Sequence, residues 1–418
     1  MQCLWITLAD PEPATNGQLI YSKGLIEAAC DAGASLTVIG LVRPQTKRPL
    51  IDPSGIVWQL GREQPKSSWR RLISRDPGAA ARVAPEMVQA LESALTEQSW
   101  DAIVFDSICA GWALDRVLHH RRQSARPPHI VYVAHNHEIT VARRVARDAR
   151  GLKRLLKVID RMKVIELERR LIASADLLTS NTPDDCRLFA ADRGNQPVAF
   201  LPPGYGGPRV AARIIDAAVP RRAILVGSLD WPPKRVSLEA FLVAGAAILA
   251  EADVGLQIVG EVETAYLEKL RRRFPSVEFV GPVPDVQSYM AGARLALVPD
   301  LLGGFKLKGL DYAFNRLPIL AMRMGLPGMP LRDGHSIGLF DSHQALAEGV
   351  VAMIDDFPRL NAWHERAYTA CADRFDWKRI GRHLLAHMRE PADIKRRSGT
   401  VDRKSDGASS PARLAAER

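Results

Sequence analysis

Leu302-Gly-Gly-Phe-Lys-Leu-Lys-Gly-Leu-Asp-Tyr-Ala-Phe-Asn-Arg-Leu-Pro-Ile-Leu-Ala321 places two glycines and two lysines where a loop runs into a helix, with an acid one turn further on. Helix N-termini carry unpaired N–H groups and the positive end of the helix dipole, and both suit phosphate. Gly303 and Gly304 would let a phosphate approach the backbone, with Phe305 between them and the cations Lys306 and Lys308. Asp311 follows Lys308 by three residues, so the two are expected on one helix face. Lysine suits a diphosphate and the acid suits ribose hydroxyls. The stretch therefore reads as a nucleotide-diphosphate site at the carboxyl side of an α/β sheet.

The rest of the chain fits that setting. Its 418 residues suit two domains and a tail. Apolar residues make up 47% and charged residues 25%, the balance of a soluble globular protein. No apolar run is long enough to span a bilayer, and the N-terminus reads as a buried strand rather than a signal peptide. Five scattered cysteines lack CxxC or zinc spacing, which argues for reduced core thiols and a cytoplasmic protein. A net charge of +10 implies acidic partners: nucleotide sugars, anionic lipid or nucleic acid.

Short apolar runs alternate with helical patterns. Strands are predicted at residues 3–8, 35–39, 102–105, 129–134, 177–179 and 199–201, then at 222–226, 255–259, 277–280, 295–298 and 319–321. Helices are predicted between them, among others at 19–32, 84–95, 237–250, 265–274 and 286–291. Two such series predict two doubly wound parallel sheets. The Pro/Gly-rich segment Pro202-Pro-Gly-Tyr-Gly-Gly-Pro208 reads as the linker. The expected division is 1–203 for an acceptor-binding domain, 204–388 for a donor-binding domain, and 389–418 for a basic tail too poor in apolar residues to fold.

Other motifs end predicted strands, where open α/β sheets bind ligands. The loop through Asn16-Gly17 follows the first strand and reads either as an ordinary turn or as part of the cleft. Ala134-His-Asn-His-Glu138 follows another, so His135 is a candidate contact for a sugar hydroxyl or a developing charge. HxH raises the question of a metal, but no carboxylate or cysteine ligands cluster nearby in sequence. Ile224-Leu-Val-Gly-Ser-Leu-Asp-Trp-Pro-Pro-Lys-Arg235 ends a strand in Gly227-Ser228 and then carries two cations. Lys234 or Arg235 is the candidate to reach a β-phosphate. Val283, in Val280-Gly-Pro-Val-Pro-Asp285, is a candidate to meet a base through its backbone.

Arg143, Arg147, Arg150, Arg154, Lys157 and Arg161 recur at helical spacing, and residues 143–170 hold eleven basic and four acidic residues. This stripe reads equally as a solvated helix face or as a surface for an anionic membrane or acidic acceptor. Nucleic acid is not expected, because no aromatic platform interleaves the charges.

Together these motifs resemble family 4 glycosyltransferases of the GT-B fold, in which two Rossmann-like domains face each other across a cleft. His135-Asn-x-Glu138 resembles that family's HNxE segment, and Gly227-Ser-Leu-Asp-Trp-Pro resembles the loop opening its donor domain. Gly304-Phe-Lys-Leu-Lys308 through Asp311 to Pro318 resembles its GxKLKxLEAxAxGxP signature. The resemblance implies retaining transfer of a sugar from a UDP- or GDP-sugar to a lipid-linked, polysaccharide or small-molecule acceptor. It implies no bound metal and no cofactor beyond the nucleotide-sugar itself, which is a substrate. Lys308 with Lys234 or Arg235 would stabilise the leaving diphosphate, Asp311 would hold the ribose, and His135 would sit near the reacting carbon. The sequence departs from the family pattern in three places. Gly303 and Asp311 stand where two glutamates are usual, and Arg316 stands where glycine is usual. A degenerate scaffold in envelope polysaccharide assembly and a nucleotide-sugar epimerase are the alternative readings.

Overall fold

A computed structural model describes residues 1–389 apart from 45–47, 64–73, 149–151, 195, 197, 228, 230–231 and 302–303. The first sheet contains β1 (Gln2–Ala9), β2 (Ser35–Leu41), β3 (Val57–Gly61), β4 (Ala102–Asp106), β5 (His129–Ala134), β6 (Leu177–Ser180) and β7 (Ala199–Phe200). Its order is β3-β2-β1-β4-β5-β6-β7, with parallel pairing throughout. Its helices are α1 (Gly17–Asp31), α2 (Pro85–Glu97), α3 (Leu114–Gln123), α4 (Glu138–Asp148), α5 (Leu152–Ser174) and α6 (Pro183–Asp192).

The second sheet contains β8 (Arg222–Val226), β9 (Gly255–Val259), β10 (Val277–Gly281), β11 (Leu295–Val298), β12 (Ile319–Met322) and β13 (Gly338–Phe340). Its order, β10-β9-β8-β11-β12-β13, repeats the pattern of the first, again all parallel. Around it lie α7 (Pro232–Glu251), α8 (Thr264–Arg273), α9 (Gln287–Ala291), α10 (Leu307–Phe314), α11 (His343–Met353) and α12 (Phe357–Ala372), followed by α13 (Trp377–Arg389). The two doubly wound sheets are those expected.

Strand alternation explains the layering, since successive side chains point to opposite faces. In β1, Leu4 and Ile6 enter the core on one face, while Cys3 and Trp5 enter the core on the other. In β8, Ala223 and Leu225 part from Ile224 and Val226 in the same way. Strands buried on both faces read as continuous apolar runs, which is why most were legible. β3 and β13 were not predicted. One is a mixed sequence at a sheet edge and the other has three residues.

In both sheets the order reverses beside the first strand, between β1 and β4 and between β8 and β11. The crevice at the carboxyl ends of such strands is where doubly wound sheets bind ligands.

The expected boundary needs one correction. α13 was placed in the second domain, but Ile380, Leu384, Leu385 and Met388 join the core around Trp5, Tyr21 and Leu25 of the first. Glycines let it dock closely. A Cβ at Gly24 or Gly204 would collide with the Trp377 indole, and one at Gly381 would collide with the Ala28 carbonyl. Arg389, assigned to the tail, ends this helix. The remaining tail, 390–418, lies outside the described residues.

Candidate active site

Each switch point carries a buried carboxylate that the sequence reading passed over. In the first domain, Asp106 ends β4 and is 1% exposed. Its Oδ2 accepts from Trp5 Nε1 at 3.2 Å and Thr7 Oγ1 at 2.9 Å, and its Oδ1 lies 2.6 Å from His135 Nε2. Burial pushes the carboxyl up, but His135, with further hydrogen bonds from Ser22 and Trp5, more than offsets this and holds it below its ordinary range. An ionised carboxylate only accepts, so Nε2 carries the hydrogen on that side, and Nδ1 is the ring atom left for a ligand. The Tyr21 ring packs edge-on against the imidazole with centroids 5.0 Å apart. The next residue, Ser107, has φ 70°, a conformation that disfavours side chains, and its Oγ accepts from Cys109 N.

The other histidine of HxH turns elsewhere. His137 lies 2.7 Å from Thr140 Oγ1 and 3.0 Å from Asp192 Oδ2, which ties α4 to α6. Glu138 accepts from Asn136 Nδ2 at 3.1 Å. Beneath it, buried Glu168 accepts from the Glu138 and Ile139 amides, serving the first turn of α4 from α5. Burial pushes the Glu168 carboxyl up to about 8 even though those amides favour its charge.

In the second domain, Asp300 follows β11 and pairs with Lys308 on α10. Burial raises the Asp300 carboxyl, and Lys308, then Lys306 and Lys234, more than reverse this. Lys306 precedes the first residue of α10, is 8% exposed, and donates from Nζ to the Gly304 carbonyl at 3.1 Å. Burial brings its ammonium down to about 8 despite Asp300, with Lys308 and Lys234 adding to the decrease. Beside this cluster is a shallow recess lined by Gly227, Lys234, Ser237, Pro299, Asp300 and Lys308, among others. Three cations around one carboxylate leave an excess of positive charge at a helix N-terminus, an arrangement suited to a diphosphate.

Of the two cations proposed for β8's loop, Lys234 lines the recess. Arg235 instead donates to the Leu229 carbonyl at 2.8 Å, lies 4.4 Å over the Tyr266 ring and approaches Glu263. Gly227 has φ 143°, and the neighbouring strand ends carry Gly260 (φ 148°) and Gly281 (φ 91°). A Cβ on Gly260 would collide with the Gly227 carbonyl, so the loops above β8 and β9 pack backbone to backbone. Ser228 and Gly303 lie outside the described residues.

Asp311 does not turn toward the lysines. It hydrogen-bonds with Tyr205 of the linker, and burial pushes its carboxyl up to about 6, partly offset by that bond. Phe305 places its ring 5.5 Å from that of Phe375, inside a small apolar cluster, so any ligand contact there falls to its backbone. Val283 packs against the core below β10. Arg316 keeps the backbone that glycine would adopt, with φ 53°. Its guanidinium reaches the Val210 carbonyl at 2.8 Å, pairs with Glu365 and lies 4.0 Å over Tyr368, contacts that offset the left-handed strain.

The two halves meet. A Cβ on Gly304 would lie 2.9 Å from Asn136 Oδ1 and 3.5 Å from the His135 carbonyl. Across the same cleft, Gly17, the first residue of α1, faces Leu307 Cδ1 at 3.8 Å from its would-be Cβ.

The basic stripe forms two packed helices rather than one. α4 ends at Asp148 and α5 begins at Leu152, and Arg150 and Gly151 lie outside the described residues. Arg143, Arg144, Arg147, Arg154 and Lys157 are exposed, whereas Arg161 is half-buried. Among the described residues no helix is long and apolar enough to cross a membrane, and the five cysteines are free thiols.

Comparison with known proteins bears on the fold. Residues 220–356 match the family described as "Glycosyl transferases group 1". A D-inositol 3-phosphate glycosyltransferase of Corynebacterium kroppenstedtii is 26% identical over 243 residues, which is 52% of this chain and 54% of that protein. The chain thus spans about half the length of this curated relative. A sucrose-phosphate synthase from Thermosynechococcus elongatus superposes with a TM-score of 0.65 at 16% identity, covering 96% of this chain and 100% of that one. Anabaena HepE, solved with UDP and glucose, superposes with a TM-score of 0.62 at 16% identity, covering 94% and 100%. At such identities the superpositions establish the fold. The chain therefore has the GT-B fold, and its residues 220–356 are similar to the group 1 glycosyltransferases.

Proposed function

We propose that this protein is a retaining glycosyltransferase that moves a sugar from a UDP- or GDP-sugar to a lipid-linked, polysaccharide or small-molecule acceptor. The observation that carries this reading is the pairing of switch points. Lys234, Lys306 and Lys308 surround Asp300 on one side of the cleft, and His135 backed by Asp106 stands on the other. The diphosphate would exchange the Asp300–Lys308 pair for contacts with its own oxygens. The lysines would then stabilise negative charge as the glycosidic bond breaks. Asp311, with Tyr205 beside it, would meet ribose hydroxyls, and His135 would meet the sugar near its reacting carbon. Catalysis of this kind rests on positioning and leaving-group electrostatics, with no resident metal ion. EDTA treatment should leave activity intact, and an activity restored only by a divalent ion would remove that part of the reading. HepE, solved with UDP-glucose, supports a nucleotide-sugar as the ligand class. A thermal-shift screen of UDP- and GDP-sugars tests it, because a ligand of the native state raises apparent stability. No shift with any nucleotide sugar would contradict it.

The exposed cations of α4 and α5 lie among exposed Val145, Leu155, Leu156 and Met162. Exposed apolar side chains beside exposed cations along the same helices favour peripheral attachment to an anionic membrane over a merely solvated face. Co-sedimentation with anionic vesicles should decline with salt. Binding unchanged when Arg143, Arg147 and Arg154 become glutamine would sink this assignment.

A further inference from the structure

Strand β6 runs into four consecutive buried polar residues, Thr179-Ser-Asn-Thr182. Thr182 has a structural task, since its Oγ1 accepts from Asp185 N and caps α6. Asn181 is 8% exposed and its Oδ1 is buried with no hydrogen-bond partner. A buried amide oxygen left unsatisfied costs stability, and such groups call for an explanation.

Its direction supplies one. A Cβ built on Gly304 would lie 3.8 Å from Asn181 Oδ1, in addition to its approach to Asn136 Oδ1 and the His135 carbonyl. Three oxygen acceptors from the ends of β5 and β6 therefore converge on one point of the loop that leads to Lys306 and Lys308. Gly304 brings no side chain to that point. Converging acceptors are matched by a ligand that brings several donors, and a pyranose ring, ringed with hydroxyls, is such a ligand.

We infer that Asn181, together with Asn136, reads hydroxyls of the sugar carried by the nucleotide, from the wall of the cleft opposite the diphosphate. The inference rests on the nucleotide-sugar reading above and adds to it the residues that tell the sugar from the bare nucleotide. It also separates Asn181 from a structural asparagine. Truncating a structural side chain loses stability, whereas truncating an unsatisfied one does not.

The test measures binding of UDP and of UDP-glucose to wild type, Asn181→Ala and Asn181→Asp, together with Tm. For Asn181→Ala the expected result is a Kd for UDP-glucose about 10-fold weaker, a Kd for UDP within about twofold, and Tm unchanged or raised. Asn181→Asp keeps an acceptor oxygen and should retain most of the preference for UDP-glucose. Wild-type affinity for UDP-glucose in Asn181→Ala overturns the inference, as does equal weakening of both ligands with a fallen Tm. UDP binding that still depends on Lys308 in those cases leaves the phosphate site standing. A wild-type protein that binds neither these ligands nor GDP and its sugars overturns the underlying reading, and the inference with it.

Discussion

Replacing Asp106 with asparagine keeps the shape of the buried network and removes its charge. If the asparagine oxygen stays with Trp5 Nε1 and Thr7 Oγ1, its NH2 faces His135 Nε2, where an acceptor once lay 2.6 Å away. His135 must then present a lone pair at Nε2 and carry its hydrogen on Nδ1, reversing what it offers the cleft. Hydrogen bonds to charged groups contribute about 1.5–3 kcal/mol, and full burial of this pair favours the upper half of that range. Stability should fall by about 2.5 kcal/mol. A comparable loss of transition-state stabilisation lowers kcat by about 10–100-fold. The Kd for UDP should stay within about twofold, because the diphosphate site lies on the other sheet. The assays are chemical unfolding, UDP titration, UDP release from UDP-glucose, and nitrogen-15 NMR of the His135 ring. Unchanged kcat in a variant whose ring tautomer has reversed would refute the assignment of His135.

Three further outcomes follow from the site and its supports. Lys306, brought down to about 8, carries its charge below that pH and loses it above, so UDP affinity should fall as pH rises through about 8; Lys306→Arg should flatten this alkaline limb, and an unchanged limb would acquit Lys306. Asp311, near 6, accepts hydroxyl hydrogens more strongly when ionised, so below that pH UDP should lose affinity relative to inorganic pyrophosphate; parallel pH profiles for the two ligands would take Asp311 away from the ribose. Gly381→Ala drives a Cβ into the Ala28 carbonyl and should destabilise the first domain by about 1–3 kcal/mol in denaturant unfolding; wild-type stability would mean that α13 docks less tightly than described.

The sheets were legible because doubly buried parallel strands leave uninterrupted apolar runs, as at residues 102–105 and Leu295–Val298. The same runs held an unused signal. Asp106 and Asp300 each follow such a run where the chain reaches the crevice, the logic that singled out His135. Partner choice was not legible. Nothing local distinguishes Lys234 from Arg235, and only the fold brings Glu263 and Tyr266 to the second. Asp311 was read from its spacing to Lys308, whereas its partner Tyr205 comes from the linker more than a hundred residues away. α13 was misplaced for a related reason: its amphipathic pattern declares a buried face but not which domain buries it. Arg316 showed a departure from a glycine pattern, and only the structure shows the turn preserved by a guanidinium held on three sides.

The central claim is that the lysines around Asp300 hold a nucleotide diphosphate, and calorimetric titration of UDP and GDP into wild type and Lys308 variants tests it most directly. Lys308→Ala alone leaves Asp300 buried without its ion-pair partner, which is destabilising in itself. The informative variant is therefore Lys308→Met combined with Asp300→Asn, which keeps the volume and removes both charges. Saturable binding of one nucleotide by wild type, weakened at least 10-fold in a double variant that remains folded, is the predicted result. Wild-type affinity in that folded double variant would contradict the claim.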